Sequence, residues 1–248
     1  MIVVQHITKS FGDHDVLKDV SMTFEQGKTN LIIGQSGSGK TILMKICIGL
    51  VDPDQGVVTF DERPFSQMKE KEQVPIRKEM GILFQGGALF DSLTVEQNIM
   101  FPLNMFTEMS DKEKLDRVNF CLKRVNLENV NKLFPSELSG GMVKRVAIAR
   151  AISNNPKYLF CDEPNSGLDP KTAEMIDELI SEITHEYNMI TVINTHDMNS
   201  VLAIGQNINF LYHGSLWWVG NKDTILHTDN KELQDFVFST RLTRRIIK

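Results

Sequence analysis

Two stretches of this chain carry residue types at spacings that could do phosphate chemistry. The first is Gly34-Gln35-Ser36-Gly37-Ser38-Gly39-Lys40-Thr41, which follows the short apolar run 31–33 and opens a helical pattern. Glycines so spaced let successive backbone N–H groups converge on a phosphate chain, with Ser36 and Ser38 between Gly34, Gly37 and Gly39. The helix start adds the positive end of its dipole, and Lys40 adds a full charge on the terminal phosphates. Thr41 offers a hydroxyl to magnesium. The second stretch is the apolar run Tyr158-Leu159-Phe160-Cys161, which ends in Asp162-Glu163. A run of that kind suits a buried parallel strand, and an acid at its carboxyl end is expected beside the phosphate loop. There Asp162 would hold the Mg2+ shell and Glu163 would face an attacking water.

These residues need a scaffold, and the pattern predicts one of class α/β. Candidate strands at 29–33, 81–84, 158–162, 190–194 and 208–212 form the parallel sheet of the core. Residues 1–28 and 54–62 alternate apolar and polar positions around the turn Pro53-Asp54-Gln55-Gly56, which predicts antiparallel strands. A hairpin with His213-Gly214 at its tip closes the order, reaching 216–219. Between about 89 and 150 the pattern turns helical. Ser110-Asp111-Lys112-Glu113 reads there as a capping box ahead of Leu115, Val118, Leu122 and Val125. Ser139 reads as an N-cap, and with Gly140 and Gly141 it makes either a second anion site or a plain helix cap. Asp169, just before Pro170, caps a helix to about 187.

The segments Leu138-Ser139-Gly140-Gly141-Met142 and Val143-Lys144-Arg145-Val146-Ala147-Ile148-Ala149-Arg150-Ala151 resemble the signature of ATP-binding-cassette (ABC) ATPases. With them come Gln85 after a strand, Ser166-Gly167-Leu168-Asp169 past the acidic pair, and His196 within Asn-Thr-His-Asp. The order matches over nearly the whole chain. The resemblance implies ATP and Mg2+ as cofactors and a P-loop core in two parts, 1–88 with the antiparallel strands and 151–248. An inserted helical subdomain at 89–150 would carry the signature. It implies a head-to-tail dimer with two ATP molecules between the copies, each signature closing on the ATP of the other. Glu163 is then the general base or water-orienting group, His196 the contact to the terminal phosphate, and Gln85 the link from magnesium and water to the neighbouring subdomain. Asp169 would face the partner copy. Phe11 aligns with the aromatic that stacks on adenine, although a single Phe in a strand also reads as core. The five remaining histidines, His6, His14, His185, His213 and His227, read as structural.

Two departures matter. Ile42 stands where relatives often carry a second hydroxyl, so one hydrogen bond to phosphate is missing, roughly 0.5–1.5 kcal/mol. Met142 ends the signature in place of Gln. Together with the run from Phe84 through Gly87-Ala88-Leu89-Phe90 to Val95, and with Asn98-Ile99-Met100-Phe101-Pro102-Leu103, it is similar to the subfamily powering phospholipid trafficking between the membranes of diderm bacteria and in plastids. Asn165-Ser166 departs from some of its members. The alternative is another ABC system, for lipoprotein release or small-solute uptake.

That resemblance implies a permease subunit docking near Gln85 to Leu103, and a periplasmic lipid-binding component reached through it. Leu89, Phe90, Leu93, Phe101 and Leu103 are candidates for the groove or for the lobe's own core. Net charge is −5, which argues against nucleic acid. No apolar run approaches the ~20 residues that span a bilayer, and the first residues lack a signal-peptide layout. The expected place is the cytoplasm, peripheral on the inner membrane. Cys47, Cys121 and Cys161 are scattered and read as reduced core residues. The basic tail 241–248 reads as a solvated end, a lipid contact or a reach to the sister copy.

Overall fold

The computed structural model describes residues 1–238; the basic tail 241–248 lies outside the described residues. In chain order the elements are β1 (Ile2–Phe11), β2 (His14–Phe24), β3 (Thr29–Ile33), α1 (Lys40–Cys47), β4 (Gln55–Phe60), α2 (Glu70–Lys78), β5 (Met80–Leu83), α3 (Val95–Phe106), α4 (Asp111–Arg124) and α5 (Gly140–Ile152). They continue with β6 (Tyr158–Asp162), α6 (Pro170–Glu186), β7 (Ile190–Thr195), α7 (Met198–Ile204), β8 (Asn207–Tyr212), β9 (Ser215–Gly220) and α8 (Lys231–Val237). The chain divides into two compact units: Met1–Gln73 with Ile190–Lys248, and Val74–Met189.

The first unit holds two sheets. One is antiparallel, with β1 paired to β2 and β4. In the other, β3 runs parallel to both β7 and β8, and β9 returns antiparallel to β8. All five residues of β3 and all six of β7 are buried, the continuous burial expected of parallel strands covered on both faces. The expected hairpin forms where His213 (φ 47°) and Gly214 (φ 83°) both take left-handed backbone, as a two-residue turn between twisted strands demands. Asn30 of β3 is fully buried. Its amide donates to the carbonyls of Glu25, Lys28 and Thr191 and its oxygen accepts from Asn207, so the strand that leads into the phosphate loop is pinned at its start.

In the second unit β5 and β6 pair in parallel, with Leu83 opposite Cys161. Helices α3 to α6 complete it, and most start on a side-chain cap. Ser110 and Glu113 form the expected capping box of α4, and Thr94 with Gln97 forms one for α3. The three cysteines are free and buried, and burial pushes the Cys47 thiol up to about 12 and Cys121 up to about 11. No helix among the described residues is long and apolar enough to cross a membrane.

Candidate nucleotide site

In the first unit, β3 ends at Ile33 and the chain turns through Gly34 in left-handed backbone (φ 151°). A Cβ there would sit 2.3 Å from the Leu211 carbonyl oxygen, and one on Gly39 (φ 102°) 2.9 Å from that of Val16, so both positions require glycine. Gly37 (φ 80°) faces open space and needs glycine for its conformation alone. Lys40 is only 6% exposed, and its ammonium donates to the carbonyls of Gly34 (2.7 Å) and Gln35 (3.0 Å), folded over its own loop. The Ser38 hydroxyl is buried without a hydrogen-bond partner. No side chain caps α1, whereas Thr94, Ser110, Ser139, Asp169, Asp197 and Asn230 cap α3 to α8. An uncapped helix start and an orphaned hydroxyl are what an anion would satisfy. A cavity of about 60 Å³ adjoins the loop, lined by Gln35, Ser36, Gly37 and Ser38 against Tyr212 and His213.

Thr41 is exposed in the first turn of α1, and Ile42 beside it is half-buried. His196 is exposed between β7 and α7, where Asp197 caps α7 by accepting from the Asn199 N–H at 2.9 Å. Phe11, at the end of β1, is 50% exposed with the Lys9 ammonium 5.3 Å from its ring centre. It is not the core residue that a strand Phe usually is.

The second unit holds the acidic half. Because Leu83 and Cys161 are paired, Gln85 and Glu163 each lie two residues beyond the same rung and leave at the same strand edge. The Gln85 amide donates to Glu163 Oε2 at 3.3 Å and reaches Ser166 Oγ at 3.5 Å. Glu163 itself has φ 46°, and the Ser166 N–H closes a turn on its carbonyl at 3.2 Å. Buried Asn165 donates to buried Asp177 of α6 at 3.2 Å, which ties this turn to the helix that follows. Asp169 caps α6 by accepting from the Thr172 N–H (3.1 Å), and its bonds with Thr172 hold the carboxyl below its ordinary value. Ser139 caps α5 by accepting from Met142 N–H at 3.3 Å. A Cβ on Gly141 would come within 2.7 Å of Thr172 Cγ2, while Gly140 has room, so the two glycines serve close packing and openness respectively.

Thr41 of the first unit offers a hydroxyl oxygen, and Gln85 and Asp162 of the second offer amide and carboxylate oxygens, all hard donors of the kind Mg2+ takes. No group of three or more His, Cys, Asp or Glu that could hold a metal alone occurs among the described residues. A separate cavity of about 260 Å³ in the second unit, lined by Arg117, Asn155, Tyr187 and Met189 among others, contains none of these residues.

Of the groove candidates, Phe90 (43% exposed) and Phe101 (38%) are open and in ring contact at 4.8 Å. Leu89 and Leu93 are half-buried, and Leu103 is core. Sequence reasoning missed Arg150, whose guanidinium holds the carbonyls of Gly87 and Ala88 at 2.8 Å each, and Lys144. Buried positions fall all round α5, at 141, 144, 146 to 149, 151 and 152, so no periodicity in the sequence marks Lys144.

The ABC transporter family matches residues 17–166. Among named proteins the chain is 35% identical to "Probable ribonucleotide transport ATP-binding protein mkl" of Mycobacterium tuberculosis, over 97% of this chain and 67% of that one. It is 37% identical to the methionine import ATP-binding protein MetN of Campylobacter jejuni, covering 96% and 75%. To the intermembrane phospholipid transport ATP-binding protein MlaF of Haemophilus influenzae it is 32% identical, covering 96% and 90%. A bacterial ABC transporter cassette solved as a dimer superposes with TM-score 0.82 at 33% identity, covering 90% of this chain and 99% of that one, and matches equally in its post-hydrolysis state with ADP and Pi. The phosphate loop and acidic turn described above thus sit in a chain whose sequence and fold both place it in the ABC transporter family, as one of its ATPases.

Proposed function

We propose that this chain powers a membrane complex that moves phospholipid between the membranes of a diderm bacterium. It would work as a head-to-tail pair, on the cytoplasmic face of the inner membrane, with a permease and a periplasmic lipid-binding component beyond it. ATP binds through the loop N–H groups, Lys40 and Ser38, with Phe11 against the adenine. Thr41, Asp162 and Gln85 hold Mg2+, which neutralises charge on the phosphates when bound. Glu163 orients a water and takes its proton as the water oxygen attacks the terminal phosphorus. The bond to the bridging oxygen breaks, leaving ADP and phosphate. His196 steadies the terminal phosphate, and Ser139-Gly140-Gly141 of the other copy supply N–H groups to it, with Asp169 along the seam.

Coupling runs through the helical lobe 89–150. The observation that carries this reading is the open Phe90–Phe101 pair, with Met105 60% exposed on α3, the helix of Phe101, next to a loop fixed by Arg150 and leading back to Gln85. Exposed apolar side chains in contact with one another suit an interaction surface, and a permease helix seated there would feel what Gln85 senses. The lipid assignment rests on Met142, the Gly87–Phe90 run and the MlaF likeness. Small-solute uptake is the second reading, favoured by the 37% identity to a methionine importer. The test is mass spectrometry of lipids retained by the complex purified with its permease. Stoichiometric phospholipid supports the first reading; its uniform absence, with bound amino acid in its place, overturns it.

A further inference from the structure

Lys144 is 5% exposed, within the largely buried helix α5. Lysine is almost never fully buried, because an ammonium without polar partners loses several kcal/mol of hydration. Its acceptors here are two main-chain oxygens, the Gln85 carbonyl at 3.4 Å and the Glu163 carbonyl at 3.5 Å. Both distances lie at the long end of hydrogen bonding, so the ammonium spans the gap between two loops and belongs to neither. Glu163 is in left-handed backbone with its carbonyl also accepting the Ser166 N–H at 3.2 Å, and Gln85 lies beyond the end of β5, so both carbonyls belong to turns and not to the strand ladder. Lys144 is also among the residues lining a cavity of about 480 Å³, with Gly86, Gly140, Ser166 and Leu168.

We propose that Lys144 is a positioning residue that bridges the carbonyls of Gln85 and Glu163 and so fixes the separation of the two loops from inside the signature helix. This rests on the roles proposed above for Gln85 and Glu163. A hydrophobic side chain of the same length would fill the space at a lower desolvation cost, so packing alone gives no reason for an amine here. Movement of α5 is transmitted through one side chain to both loops. Lys144 acts through the geometry of Gln85 and Glu163, the groups proposed to meet magnesium and water.

The test measures ATP turnover and ATP affinity in the full-length chain. Lys144→Met lowers kcat at least about tenfold, leaves KM for ATP and the thermal midpoint nearly unchanged, and Lys144→Arg recovers turnover to within about threefold of wild type. Unchanged kcat in the Met variant, an equal change in KM, or an Arg variant no better than Met overturns the proposal. If the Met variant does not fold, Lys144→Gln, which keeps a donor able to reach one carbonyl, takes its place: a severalfold fall confined to kcat supports the bridge, and wild-type kcat or a raised KM overturns it. Glu163→Gln assayed alongside separates the two ideas, since residual wild-type hydrolysis there removes the role of Glu163 whatever Lys144 does.

Discussion

Glu163 occupies a backbone region that costs an L-residue of the order of 1–2 kcal/mol, directly after the last residue of a buried strand. Such a conformation persists only where neighbours hold it, and here Ser166, Gln85 and the Asn165–Asp177 pair do. Its chemistry is separable from that of Lys40. Glu163→Gln keeps the shape and an acceptor for Gln85 but removes the base, so ATP affinity should stay within about threefold while turnover falls on the order of 10²–10⁴-fold. Lys40→Ala deletes a charged donor to phosphate, and binding itself should weaken by roughly tenfold or more. Equilibrium nucleotide binding and single-turnover hydrolysis on the two variants check this. A Glu163→Gln chain that hydrolyses normally would remove its role. The loop and acidic residues were legible because their types and spacing are dictated by phosphate geometry. Lys144 and Arg150 were not, because a basic side chain that reaches a carbonyl across the fold looks, in sequence, like any charge on a helix.

Helix starts decide which dipoles are available to ligands. The caps at Ser110, Ser139 and Asp169 were readable as polar residues ahead of periodic apolar runs, and strands β3 and β6 begin and end at the expected residues. Helix α2 escaped because Pro75 lies within it, and α3 contains Pro102 and was read only as part of a helical region. In α3 the buried Asn98 amide offsets irregular backbone, donating to the carbonyls of Phe90, Leu93 and Thr94 while its oxygen accepts from Phe90 N–H. Local propensity carries no trace of such a clamp. The capping carboxylate gives a pH test. Asp169 is held below its ordinary 3.8 by Thr172, so the folded chain binds fewer protons there than the unfolded one. That stabilisation is complete above the unfolded value and disappears as pH falls through the folded one. Denaturant midpoints should therefore be flat above about pH 5 and decline below about pH 4. Asp169→Asn, which keeps a cap without the charge, should show a shallower acid decline; an identical slope would remove Asp169 from it.

At the scale of the molecule, the candidate residues divide between the two compact units: the glycine-rich loop, Phe11 and His196 lie in one, and Gln85, the Leu138–Met142 segment and the acidic turn in the other. The fold class was legible because motif order fixes strand order in such chains. The cargo was not, since it is chosen by the complex the chain drives, and related chains carry names for ribonucleotide, methionine and phospholipid transport. Gly140, with room around it, and the Ser139 cap are both exposed at the start of α5. In the function proposed above, a second copy's nucleotide meets this helix start, and each catalytic pocket is then the product of two chains.

Specific ATP turnover measured across a dilution series, with molecular mass followed in the same samples, tests that claim most directly. Turnover per chain should fall in step with the fraction of paired chains and vanish in the monomer. Full turnover per chain in samples that are wholly monomeric would contradict it.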